Sequence, residues 1–193
     1  MSTFELHDPL FLPHHGCELS FSVQSGEVLV IWGENGIGKS TLLRRFYCQS
    51  FGQSVSLLEQ KPLDYFYDRS LQSIFDFFKS QKLPGFQAQW MQSLLNRFRL
   101  DDRMDRSMSQ LSGGEAQMLK LILALCGDRD LYLLDEPSQF LDSSRKQVLA
   151  SYLEELRASG KKILMVEHDL SWLRPQWRQF KLEVMEGTLR GRS

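Results

Sequence analysis

Residues Gly33 to Ser40 read GENGIGKS, a complete G-x-x-x-x-G-K-[ST] stretch with Thr41 directly behind it. Val28-Leu29-Val30-Ile31-Trp32, immediately before it, is the apolar, β-branched kind of run that makes a buried parallel strand. After it, Ser40 to Tyr47 (STLLRRFY) contains helix formers and neither Gly nor Pro. Strand, glycine loop and helix, in that order, is the context in which this pattern carries meaning. The glycines let backbone N–H groups turn inward around phosphate oxygens, and the helix N-terminus adds partial positive charge. Gly33, Glu34, Asn35, Gly36, Gly38, Lys39, Ser40 and Thr41 are therefore candidate nucleotide-binding residues. Lys39 is placed to reach the β- and γ-phosphates, and the Ser40 hydroxyl to ligate Mg²⁺. The expected ligand is a nucleoside triphosphate.

Working outward, 193 residues suit one domain with room for an inserted lobe. Lys and Arg number 23 against 24 acidic residues, so no overall basic field argues for nucleic acid. Cys17, Cys48 and Cys126 are odd in number and far apart, a pattern of reduced thiols in a cytoplasmic protein. The first residues, MSTFELHDP, lack the apolar core of a signal peptide. No stretch approaches the ~20 apolar residues of a membrane span, so membrane work would require a partner.

Leu19 to Val23 alternates in the manner of an antiparallel strand, and Gln24 to Glu27 reads as a turn. Val55 to Leu58, Leu131 to Leu134 and Lys162 to Val166 are further strands; Ser143 to Ala158 is a helix closed by Gly160. From Ser70 to about Leu100 the periodicity is helical, broken in two by Pro84-Gly85. Strands alternating with helices imply an α/β fold with a mostly parallel sheet. The segment 61–110 reads as a helical subdomain inserted into that core.

Leu131 to Leu134 runs into Asp135-Glu136. At such a strand end the first acid suits Mg²⁺, and the second is placed to polarise an attacking water. Upstream, Leu111-Ser112-Gly113-Gly114-Glu115 opens a long apolar helix, with Ser112 and Glu115 at capping-box spacing. Adjacent glycines are costly there unless something approaches the backbone closely. A plain helix start and a second phosphate-binding helix N-terminus both remain open on the residues alone.

With LSGGE and LYLLDEP together, the chain resembles the ABC (ATP-binding cassette) ATPase family over nearly its whole length. That resemblance implies a P-loop NTPase core in a single cassette, 1–193, with ATP and Mg²⁺ as ligands. It implies that Gln60 is the Q-loop glutamine sensing Mg²⁺ and nucleotide. Ser112, Gly113 and Gly114 would contact ATP held by a second, head-to-tail cassette. Asp142 would close the D-loop, SQFLD, and His168 would be the switch histidine at the γ-phosphate. Glu136, Lys39 and His168 are then the catalytic set, and Ser40, Gln60 and Asp135 the metal set. Gln60 follows Gly33 by only 27 positions, shorter than in most transporter cassettes, and Met118 and Leu123 stand where the family has arginines. Phe11, with His14 behind it, is the candidate to stack on adenine, core burial being the competing reading. With 25 residues after His168, no C-terminal regulatory domain is expected.

The resemblance implies the ATP-hydrolysing subunit of an ABC transporter, cytoplasmic and held at the inner face of the membrane by a permease. Tyr65, Phe66 and Tyr67 would line its docking groove or pack in the lobe. The alternative is a soluble mechanochemical ABC ATPase, since LYLLDEPSQFLDSSRK and VEHD resemble the ribosome-recycling members.

Overall fold

The computed structural model describes residues 4–6, 16–17, 21–50, 54–59, 66–81, 85–185 and 188–192. In chain order these form β1 (Phe4–Leu6), β2 (Gly16–Cys17), β3 (Phe21–Val23), β4 (Val28–Gly33) and α1 (Lys39–Gln49). There follow β5 (Val55–Leu58), α2 (Leu71–Ser80), α3 (Ala88–Arg97), α4 (Gly113–Leu125) and β6 (Leu131–Asp135). α5 (Ser143–Ala158), β7 (Lys162–Val166), β8 (Arg178–Met185) and β9 (Thr188–Arg192) complete the chain.

Among the described residues the main sheet has seven strands in the order β2-β9-β8-β4-β7-β6-β5, and β1 pairs antiparallel with β3 beside it. From β8 through β5 every pairing is parallel, and β8 and β9 form an antiparallel pair. The mostly parallel α/β core and the N-terminal antiparallel pair agree with the sequence reading. The β8–β9 pair was not anticipated. Its core residues, Phe180 and Leu182, alternate with Lys181 and Glu183, the period-two pattern of a strand with one covered face.

β6 and β7 are buried along their whole length, as parallel strands covered on both faces must be. Alternate residues serve opposite layers. Val28, Val30, Tyr132, Leu134, Ile163 and Met165 face a cluster containing α4 and α5. Leu29, Ile31, Leu131, Leu133, Leu164 and Val166 face Leu42, Leu43 and Phe46 of α1. Each such side chain contributes ~1.5–3 kcal/mol by leaving water. The first cluster also takes in Leu71 and Ile74 of α2 and Met91, Leu94 and Leu95 of α3, so these helices share one apolar interior with the sheet.

Because β4, β6 and β7 run parallel, the segments that follow them emerge along one edge, where open α/β sheets bind their ligands. Backbone bonds extend this edge past the strands. Glu136 N donates to Val166 O at 3.0 Å, and Glu167 N donates to Ile31 O at 3.0 Å.

Candidate active site

The loop after β4 wraps the start of α1 through Gly36 and Gly38, whose φ values of 77° and 104° lie in the left-handed region. Gly38 is the N-cap of α1, and no side chain caps that end, so its leading N–H groups face the loop. Lys39 is buried, and its Nζ donates to Gly33 O at 2.8 Å and Glu34 O at 2.7 Å. Burial lowers the Lys39 pKa, while the carboxylates of Glu136 and Asp135 oppose that shift. An ammonium held by carbonyls and facing carboxylates is well matched to an anionic phosphate.

Ser40 Oγ donates to Asp135 Oδ1 at 3.0 Å, bringing together two of the three residues expected to hold Mg²⁺. Asp135 is buried, and desolvation raises its pKa; the Ser40 bond acts the other way and Glu136 adds to the rise. Hard oxygen donors on a desolvated carboxylate fit a divalent cation of this class. Gln60, the third, lies outside the described residues, as do Phe11, His14 and Tyr65.

Glu136 carries φ 48°, an uncommon value for a residue with a side chain, and its Oε1 lies 3.0 Å from His168 Nε2. Both line one cavity of about 460 Å³ with Asn35, Gly36, Gly38, Lys39, Ser40 and Thr41. The residues expected from β4, β6 and β7 thus converge on a single space. Glu34 is exposed beside it, while Gly33 ends β4.

Two residues that lie inside the motifs VEHD and SQFLD, but to which sequence reasoning gave no role of their own, also belong here. Glu167 is buried between the converging loops; its Oε1 accepts from Ser138 N at 2.9 Å and its Oε2 from His168 N at 3.2 Å. Burial pushes its carboxyl up to about 7. It ties the segment after Glu136 to the segment carrying His168. Its signal was an acid directly after the apolar run Ile163 to Val166. Gln139 is the other, and it lines the same cavity.

Ser112, Gly113 and Gly114 do not line that cavity. Ser112 and Glu115 form a reciprocal capping box, at 3.2 and 2.8 Å, and α4 begins at Gly113. The two glycines have different surroundings. A Cβ on Gly113 would meet nothing within 4 Å, whereas one on Gly114 would stand 2.9 Å from Phe140 O. The close approach expected from outside the chain is made at Gly114 by the chain itself, which leaves Gly113 open to a ligand. Asp142 caps α5, accepting from Arg145 N at 2.8 Å, and is exposed. Met118 is core, and Leu123 walls a groove of about 720 Å³ together with Tyr47, Leu57, Phe78 and Lys120. Phe66 packs on Phe77 and Phe78, while Tyr67 is exposed.

A family model described as ABC transporter matches residues 17–139. The translation initiation factor RLI1 of Saccharomyces cerevisiae is 34% identical over 171 residues, covering 83% of this chain and 27% of its own length. A probable metal transport system ATP-binding protein of Chlamydia muridarum is 28% identical over 185 residues, covering 82% of this chain and 70% of its own. The solved dimeric structure of a bacterial ABC transporter cassette superposes with a TM-score of 0.70 at 20% identity, covering 90% of this chain and 88% of that one. The chain therefore spans about a quarter of the length of the translation factor.

Proposed function

Because the chain belongs to the ABC transporter family, whose cassettes are ATPases, we propose that it hydrolyses ATP with Mg²⁺ as a head-to-tail cassette dimer that powers a membrane permease. The observation that carries the hydrolytic part is the pairing of Glu136 with His168, 3.0 Å apart, on the wall of a cavity that Lys39 also lines.

In this reading the loop from Gly33 to Thr41 cradles the phosphates and Lys39 meets their charge. Ser40 and Asp135 would hold Mg²⁺, with Gln60 as the expected third ligand, and the ion would supply neutralisation of charge on the phosphate oxygens. Glu136 orients a water and takes its proton as the water oxygen bonds to the γ-phosphorus. The bond to the bridging oxygen breaks, and ADP leaves carrying that oxygen. His168, paired with Glu136, contacts the γ-phosphate. Ser112, Gly113 and Gly114 of one copy, with Asp142 nearby, face ATP in the other. The open space at Gly113 supports this, since a visiting phosphate could meet its N–H unobstructed.

For the permease, the supporting feature is the groove that Tyr47, Phe78 and Leu123 line beside the helical subdomain proposed for 61–110. Its apolar wall and its size suit an amphipathic helix. No helix among the described residues is long and apolar enough to cross a membrane, so the proposed place at the cytoplasmic face depends on that contact. A second reading, a soluble ATPase acting on the translation machinery, is favoured by the 34% identity to RLI1.

Sedimentation decides between them. Tagged wild-type protein should pellet with membranes, and Tyr47→Glu, at an exposed groove position, should not, while still binding ATP. Migration with ribosomes and never with membranes would replace transport with the second reading.

A further inference from the structure

Gln139 has no assigned part in the chemistry described so far, yet its setting is specific. It lines the cavity with Glu136, His168 and Lys39 and is half-buried there. Among the described residues nothing hydrogen-bonds to its side-chain amide. Its backbone is closely held. Gln139 N donates to Glu136 O at 3.1 Å, and Leu141 N donates to Ser138 O at 3.0 Å. Between them, Ser138 N is fixed on buried Glu167 at 2.9 Å. The turn that aims Glu136 therefore also sets Gln139, three residues on.

We propose that Gln139 is a positioning residue for hydrolysis, its amide holding the attacking water, or the phosphoryl oxygen next to it, in line with Glu136. The inference rests on the hydrolysis reading above. A carboxylate accepts hydrogen bonds and takes the proton, but it cannot donate to an oxygen as charge develops there. A neutral amide both donates and accepts, and so can hold a water by its lone pair while the water points a proton at Glu136. A side chain aimed by a rigid turn does this with little reorganisation, which is where preorganised dipoles act most strongly. The amide is open to the cavity, where a water or phosphate oxygen can pair with it.

The test compares wild type, Gln139→Met and Gln139→Asn, with Glu136→Gln as the reference. Met keeps the length and removes both hydrogen-bonding groups. Gln139→Met should lower kcat by ~10²–10³-fold with KM for ATP and affinity for ADP unchanged, and Asn should recover part of the rate. A second readout is binding rather than turnover. Gln139→Met should weaken capture of ADP with vanadate, which imitates the in-line geometry, by a similar factor. Wild-type kcat in Gln139→Met, unchanged capture of ADP with vanadate, or a matching loss of ADP affinity would each overturn the inference. If Glu136→Gln loses turnover while Gln139→Met does not, this inference alone falls. Full turnover in Glu136→Gln would remove Glu136 as the base and this inference with it.

Discussion

The carbonyl oxygen of Phe140 stands 2.9 Å from where a Cβ on Gly114 would be, so the loop before α5 lies directly on the start of α4. Phe140 holds φ 62° in that loop, and the residue is 68% exposed. The two glycines of the LSGGE stretch are thus kept for unlike reasons, and substitution should separate them.

Gly114→Ala should lower stability by ~1–3 kcal/mol, because backbone has to give way. Gly113→Ala, which meets nothing, should leave stability unchanged or raise it by up to ~1 kcal/mol, alanine being the better helix former. Denaturant midpoints of the two variants measure the difference. Equal losses in both would contradict the packing at Gly114.

Glu136→Gln should retain ATP binding and lose ~10²–10⁴-fold in turnover, since the amide can hydrogen-bond but cannot accept the water's proton. In the head-to-tail reading it also accumulates an ATP-bound dimer, visible by size-exclusion chromatography. Near-normal hydrolysis would show that another group is the base.

Glu167 sets a pH dependence of stability whose sign is fixed by burial. Its carboxyl is held at about 7 in the folded chain and titrates near ~4.3 when unfolded. Between those values the native state binds a proton that the unfolded state has released, so stability falls as pH rises through the window. The loss is complete above about 7. Its size is on the order of 3 kcal/mol. Melting temperature measured from about pH 5 to 8 should drop more for wild type than for Glu167→Gln, which cannot titrate. Parallel curves for the two proteins would rule the contribution out.

Thiol reactivity should differ sharply between two cysteines. Cys126 is buried, and burial pushes its thiol up to about 12; Cys48 is exposed. In a Cys17→Ser background, an aromatic disulfide reagent at about pH 8 should label Cys48 at once. Cys126, with a thiolate fraction of only ~10⁻⁴ under those conditions, should react when the chain is denatured. Rapid reaction of two thiols in the native protein would contradict this burial.

Where local chemistry decides the outcome, the residues were legible. α5 begins and ends at Ser143 and Ala158 as expected, because Asp142 is a strong N-cap and Gly160, at φ 85°, terminates the turn. β7 likewise runs over the expected Lys162–Val166. Convergence of Lys39, Ser40, Asp135, Glu136 and His168 on one edge follows from strand polarity, which alternating elements already imply. Less legible were features that depend on what lies across a gap. Glu167 reads as an ordinary acid until the N–H groups of Ser138 and His168 are seen on its two oxygens. The reason for Gly114 lies in Phe140, 26 positions away in sequence and held in the left-handed region. The β8–β9 pair went unread although Phe180 and Leu182 alternate with charged residues, and Gln60 belongs to a stretch outside the described residues.

The apolar interior that α2 and α3 share with β4, β6 and β7 has a consequence for how the molecule comes apart. Leu71, Ile74, Met91, Leu94 and Leu95 are each almost wholly buried in that one cluster, which also contains Tyr132 and Met165. Pulling the helical arm away would uncover the sheet, and unfolding the sheet would strip the arm. Neither part has a private reserve of stability, so local opening of one draws on the other. Amide exchange in Leu94 and in Leu134 should then report the same opening event, and the two regions should melt in a single step.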